Sequence, residues 1–241
     1  MAHSRPSTIA IDGPAASGKT TLGGLLAERL GYLFFDTGVL YRAITWAAQG
    51  RGLNSSDEAA LAALAAELKI DLEVPAVSDG RLYTVRVDGR DVTWEIRRAE
   101  VDREVSIVSA YPQVRRALLE RQRAIAAGGR VVMAGRDIGT VVLPEAGLKI
   151  YLDASPEERA RRRYLELRAR GESADYQEIL ARMRQRDELD REREAAPLRP
   201  APDAIVLFTD GLSIEETFAK VWALVENWRQ RRGKIEVEEP G

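Results

Sequence analysis

Gly13-Pro14-Ala15-Ala16-Ser17-Gly18-Lys19-Thr20 decides the reading of this chain, together with the Thr21 that follows it. An apolar run, Thr8 to Ile11, leads in, and a helical pattern, Leu22 to Leu30, leads out. Strand, glycine-bounded loop and helix in that order make a phosphate-binding loop. The glycines let the backbone curl so that its N–H groups face an anion without Cβ clashes. The positive end of the following helix adds to that field. Lys19 then reaches the outer phosphates, and the Thr20 hydroxyl can hold Mg²⁺. The stretch implies a bound nucleoside triphosphate, with Lys19 expected on the surface of its loop.

Outward from the loop, the pattern alternates. Tyr32–Phe35 reads as a second strand ending at Asp36-Thr37-Gly38, and helices follow at about 39–49 and 56–68. The period then changes: residues 70–74 and 83–87 alternate like strands, with Asp88-Gly89 as a hairpin signal. Helices are expected over about 95–109 and 114–127, then a strand at 130–134 entering Gly135-Arg136-Asp137. A further strand, 148–152, precedes Ser155-Pro156-Glu157-Glu158, a well-formed helix start. Charged helices over 156–170 and 175–193, a Pro-rich segment 195–203, a strand 204–208 and a helix from Ser213 to about 229 complete the chain.

Five strands alternating with helices predict an α/β fold, a five-stranded parallel sheet with helices on both faces. The expected organisation is a core of 1–69 and 95–229, with an inserted β-rich subdomain at 70–94. The segment 156–195 is expected to form a short helical lid, and 230–241 a frayed tail. In such sheets ligands bind outside the strand C-termini, where the polar groups collect here.

Composition narrows the class. The 241 residues carry a net charge of −2, with 45% hydrophobic and 31% charged residues. No global basic field recruits nucleic acid, and no apolar run approaches a membrane span. The absence of cysteine removes disulfides, thiolate catalysis and cysteine zinc sites. The single histidine, His3, lies in a polar N-terminal stub. A cytoplasmic, monomeric protein without nucleic-acid or membrane partners is expected.

A phosphate-binding loop alone serves kinases, GTPases and DNA-dependent ATPases alike. The arginines discriminate. Lysine occupies only positions 19, 69, 149, 220 and 234, so most of the 36 basic residues are arginine. Arg42 sits one helical turn after Asp36-Thr37-Gly38. Arg182, Arg186, Asp190 and Arg193 share one helix face by their spacing of four, four and three, as Arg159 and Arg163 do on the preceding helix. Arg161 and Arg162 read as solvated. Phosphoryl transfer between two anionic ligands needs positioning and counter-charge more than covalent chemistry. A guanidinium supplies that in bidentate form. The chain therefore reads as a small-molecule kinase with an anionic acceptor.

The motifs Gly-Pro-x-x-x-Gly-Lys-Thr, Asp36-Thr37-Gly38 with Tyr41-Arg42, Gly135-Arg136-Asp137-Ile138-Gly139-Thr140-Val141-Val142 with Pro144, and Arg186-Asp187 with Asp190 and Arg193 resemble the bacterial cytidylate kinase family over residues 7–229. The resemblance implies transfer of the γ-phosphoryl of ATP to CMP or dCMP with Mg²⁺, on a P-loop core with a nucleoside-monophosphate-binding insertion and a lid. It implies that residues 13–21, Arg159 and Arg163 meet ATP. It places Thr37, Tyr41, Arg42, Ser106, Arg115, Arg136, Asp137, Arg186 and Asp190 on CMP. Lys19, Arg186 and Arg193 are then catalytic, and Thr20 and Asp36 hold the metal. Where the family often has an acidic residue before Gly135, this chain has Ala134, so the metal leans on Thr20, the phosphates and Asp36. Another NMP or small-metabolite kinase, such as one for UMP, a P-loop regulatory switch or nucleic-acid-stimulated ATPase, and a non-catalytic interaction module are the competing readings. CMP against dCMP, and ATP against GTP, stay open.

Overall fold

The computed structural model describes residues 5–73 and 75–228, so His3 and the expected tail at 230–241 lie outside the described residues. In chain order the elements are β1 (Thr8–Asp12), α1 (Lys19–Leu30), β2 (Leu33–Asp36), α2 (Gly38–Gly50), α3 (Glu58–Glu67), β3 (Ile70–Glu73), β4 (Thr84–Val87) and β5 (Arg90–Asp91). They continue with α4 (Ala99–Ala110), α5 (Pro112–Ala126), β6 (Val131–Gly135), β7 (Leu148–Asp153), α6 (Pro156–Ala169), α7 (Tyr176–Glu192), β8 (Ile205–Phe208) and α8 (Ile214–Glu226). The helix expected from residue 95 starts late: Glu95–Arg97 wind as a 3₁₀ turn, and extended Arg98 separates them from α4.

The chain divides into two compact units. Of the described residues, the first takes 5–35, 126–188 and 198–228, and the second 36–73, 75–125 and 189–197. The second is wider than the 70–94 segment that the change of period marks out.

In the first unit a five-stranded sheet runs in the order β2-β6-β1-β7-β8. β1 pairs in parallel with β6 and β7, and β7 with β8. Ile9, Ile11, Val132, Ala134, Leu148, Ile150 and Leu152 alternate onto one face, against Leu22 and Leu26 of α1 and Val221 and Val225 of α8. Ala10, Val131 and Met133 on the opposite face are equally buried, which is why these strands read as continuous apolar runs. The strand order reverses at β1, so the crevice expected of such a sheet opens beyond Asp12.

Local chemistry sets the helix starts. Ser155 accepts from Glu158 N at the head of α6, with Pro156 in the first turn. Ser213 and Glu216 form a reciprocal capping box on α8. In the second unit, β3, β4 and β5 make a small antiparallel sheet. Asp88 and Gly89 both take positive φ, 49° and 82°, the two-residue turn that the Asp-Gly pair favours. Leu40 and Ile44 of α2, Leu61 and Leu64 of α3, and Val101, Val105 and Val108 of α4 are buried in this unit.

Candidate active site

In the first unit the phosphate-binding loop joins Asp12 at the end of β1 to Lys19 at the start of α1. Gly13 has φ +146°, and a Cβ there would stand 2.0 Å from the Leu152 carbonyl oxygen, so no other residue fits. Ala16 and Gly18 also take positive φ, 58° and 95°. Gly18 offers the first turn of α1 no side-chain cap, and no acidic residue stands in that turn. A helix start of this kind suits an anion. Lys19 is not the surface side chain expected from the sequence. It is 7% exposed, and its Nζ donates to Pro14 O at 2.5 Å and to Ser17 Oγ at 3.3 Å. The ammonium thus lies back across its own loop.

Asp12 was not marked by any motif. Its carboxylate accepts from Ile138 N and Gly139 N, each at 2.7 Å, and is 3% exposed. These are the first residues of the short π-helical turn Ile138–Val142, immediately after Asp137. One side chain therefore pins the strand entering the phosphate loop to the Gly-Arg-Asp string leaving β6. Burial pushes its carboxyl up to about 6, against the downward pull of the two N–H groups. Asp137 is 5% exposed and Arg136 half-buried. A charged residue closing an otherwise apolar strand is the signal that could have marked Asp12.

The two helices expected as a lid treat their arginines differently. Arg159, expected to face the donor nucleotide, is 1% exposed and turned inward onto Asp187, Ala154 O and Ala15 O. Arg163 pairs with Glu166 at 2.9 Å. Arg186 is half-buried on α7. Arg182, expected on the Arg186 face, is exposed and pairs with Glu178, because i,i+4 pairing in water competes with any inward direction. Arg162, expected to be solvated, donates to Thr209 O and Thr209 Oγ1 as well as to Glu158. It ties α6 to the end of β8.

In the second unit the turn after β2 behaves as a local motif: Asp36 Oδ1 accepts from Gly38 N at 3.0 Å, and Thr37 is 4% exposed. Tyr41 is buried, and the Arg115 guanidinium lies 5.4 Å from its ring centroid while donating to Ser109 O. The structure thus brings together two residues that lie far apart in sequence. Ser106 is half-buried on α4. Arg42 is engaged by the chain itself, donating to Asp102 Oδ1 at 2.5 Å and to Ile96 O at 3.2 Å. Asp102, sixty residues away, carries no sequence signal for that pairing. Tyr83 is a further residue the sequence did not mark. It is 6% exposed, and burial, then the Asp36 charge, lift its phenol well above the ordinary range. Asp190 and Arg193 are both buried, with Nη1 3.7 Å from Asp190 Oδ1 and Nε donating to Ala196 O at 2.6 Å.

A parallel sheet with a phosphate-binding loop at its switch point, and arginines placed on the strand ends and helices that follow, defines a P-loop phosphotransferase. The family model described as cytidylate kinase matches residues 9–227. Proteins named cytidylate kinase from three organisms are similar over nearly the whole chain. The Roseiflexus castenholzii protein is 55% identical over 223 residues, covering 92% of this chain and 94% of that protein. The Herpetosiphon aurantiacus protein is 54% identical, covering 91% and 94%. The Chloroflexus aggregans protein is 56% identical, covering 90% and 92%. The chain belongs to the cytidylate kinase family.

Proposed function

We propose that this enzyme transfers the γ-phosphoryl group of ATP to CMP or dCMP, giving ADP and CDP or dCDP. The observation that carries the reading is the match of residues 9–227 to the cytidylate kinase family; in support, Asp12 ties the strand feeding the phosphate loop to the turn behind Asp137 through two 2.7 Å bonds. A group that handles phosphate and a group that can read a base are thereby held in one rigid register.

In this proposal residues 13–21 hold the ATP phosphates, with Lys19 swinging from Pro14 O to the developing charge. Arg163 meets the donor from α6, whereas Arg159, held by Ala154 O, Ala15 O and Asp187, supports the loop. Thr37, Tyr41, Arg42, Ser106, Arg115 and Asp190 contribute to the acceptor site, with Arg42 exchanging Asp102 for the CMP phosphate. Asp137 accepts from the cytosine amino group; uracil would present a carbonyl to that carboxylate, leaving a buried acceptor unpaired at about 1–3 kcal/mol. Arg136, Arg186 and Arg193 supply charge to the phosphoryl in flight.

Among the described residues no cluster of three or more His, Cys, Asp or Glu forms a metal cage. Mg²⁺ keeps its waters and takes few protein ligands beside substrate phosphates. The Thr20 hydroxyl in the first turn of α1 is a hard oxygen donor of the right kind, and Asp36 is the second proposed ligand. When bound, Mg²⁺ neutralises the phosphate oxygens. No described helix is long and apolar enough to cross a membrane. The net charge of −2 supports nucleotides rather than nucleic acid as ligands, and we take the working unit as a cytoplasmic monomer.

A coupled assay with ATP against CMP, dCMP, UMP, AMP and GMP tests the proposal. CMP or dCMP should show the highest kcat/KM, by about tenfold or more over UMP. Preference for UMP or a purine would overturn it.

A further inference from the structure

Arg159 stands near the start of α6 with almost no access to water, yet a guanidinium has five N–H groups to satisfy. Its partners come from three different places. Nε donates to Ala154 O at 2.9 Å, where β7 passes into α6. Nη1 donates to Ala15 O, inside the phosphate-binding loop, at 3.2 Å. Nη1 and Nη2 together grip both carboxylate oxygens of Asp187 on α7, at 3.0 and 2.5 Å. Asp187 is itself 1% exposed and is the immediate neighbour of Arg186.

The bond to Ala15 O has a consequence for the loop. In a trans peptide the carbonyl and the following N–H point in opposite directions. Holding Ala15 O therefore fixes the direction of the Ala16 N–H, one of the loop's donors. Ala16 is a non-glycine residue at φ +58°, a conformation that persists only when its surroundings impose it. Arg159 is such an imposing group. Its other hand fixes the turn of α7 that carries Arg186.

A buried ion pair is weak evidence for stability, since apolar residues of similar volume often replace it at no loss. What apolar residues cannot reproduce is the three-way geometry. Lysine cannot either, because an ammonium lacks the planar fork that grips a carboxylate and a carbonyl at once.

We propose that Arg159 and Asp187 are a positioning pair for phosphoryl transfer: they set the Ala15–Ala16 peptide of the phosphate-binding loop and register Arg186 on α7 to it. The proposal rests on the assignment of that loop to ATP and of Arg186 to the transferring phosphate.

The test compares wild type with Arg159→Lys and with the double variant Arg159→Met, Asp187→Leu. Three quantities are measured: the melting temperature, the affinity for a non-hydrolysable ATP analogue by calorimetry without acceptor, and kcat and KM with ATP and CMP. The double variant should melt within about 4 °C of wild type, because its buried pair is replaced rather than halved. Its analogue affinity should fall about tenfold and its kcat about 100-fold, with KM for CMP moved less than about threefold. A folded double variant whose analogue affinity and kcat both stay within about threefold of wild type would show the pair to be packing alone and overturn the proposal. Should the double variant fail to fold, Arg159→Lys decides in the same way: a kcat loss above about tenfold supports positioning, and a loss within about threefold refutes it. A wild type that turned over no CMP would overturn the proposed function instead. The analogue affinities, which need no acceptor, would still report on the loop.

Discussion

Replacing Asp12 by Asn exchanges one carboxylate oxygen for an NH₂, which must then face Ile138 N or Gly139 N, a donor against a donor. In the wild type two effects oppose each other at this carboxyl. Burial disfavours the charge and is the larger; the two backbone N–H groups favour it. The balance lifts the carboxyl from its usual 3.8 to about 6. At pH 7 the group is ionised and accepts both bonds. That rise corresponds to about 3 kcal/mol.

The sign follows from proton counting. Between pH 4 and 6 the folded protein keeps a proton on Asp12 that the unfolded chain has released. This contribution to stability is therefore full below about pH 4 and is lost as pH rises through 6. Asn does not titrate. The variant's stability therefore lacks this pH dependence, and its unpaired N–H should cost about 1–3 kcal/mol against the ionised wild type at pH 7. The stability gap between wild type and variant should then narrow by up to about 3 kcal/mol from pH 4 to pH 7. Urea unfolding at steps of pH, followed by tryptophan fluorescence, to which Trp222 and Trp228 contribute from beside the core of the first unit, measures the gap directly. A gap that widens with rising pH would mean that the backbone bonds outweigh burial, and would refute the reasoning.

Four further outcomes can be checked. Lys19→Ala should lower kcat about 10²–10³-fold through loss of one preorganised charge, and a value within tenfold of wild type would remove Lys19 from the mechanism. Because Lys19 Nζ also braces Pro14 O, hydrogen exchange of the loop should quicken in that variant. Gly13→Ala places a methyl against the Leu152 carbonyl and should cost at least about 3 kcal/mol or abolish folding; a melting temperature equal to wild type would contradict the close approach. Asp137→Asn should reduce the ratio of kcat/KM for CMP over UMP, since an amide can donate to a uracil carbonyl, and an unchanged ratio would leave Asp137 a structural carboxylate. Arg193→Ala should lower kcat far more than it raises KM for the acceptor, the mark of a charge that matters most in the transition state; equal effects on both would reduce it to a binding residue.

The parts of this molecule that were legible in the sequence are those written in local physics. Ser155 and Glu158, Ser213 and Glu216, and Asp88-Gly89 each act over two or three residues, and each takes the geometry its chemistry prescribes. The apolar runs of β1, β6 and β7 are buried on both faces, so composition alone marks them as strands of a covered parallel sheet. Gly13, Gly18, Lys19 and Thr20 specify the loop because an anion imposes the same backbone demands wherever it binds.

The direction in which long side chains turn lay beyond that. Arg42 and Asp102 are sixty residues apart, Arg159 and Asp187 twenty-eight, and Asp12 and Ile138 more than a hundred. Helical spacing placed Arg182 on one face with Arg186, yet Glu178 holds it in solvent. It placed Arg159 beside Arg163, yet one is buried and the other half-exposed. By itself the sequence determined which elements form and which loop has the phosphate-binding pattern, since backbone conformation and hydrophobic period depend on neighbours along the chain. The tertiary structure alone decided which carboxylates and carbonyls the arginines meet. A guanidinium pairs with whatever carboxylate or carbonyl the strand order β2-β6-β1-β7-β8 and the packing of helices bring within hydrogen-bonding reach, and no local pattern encodes that.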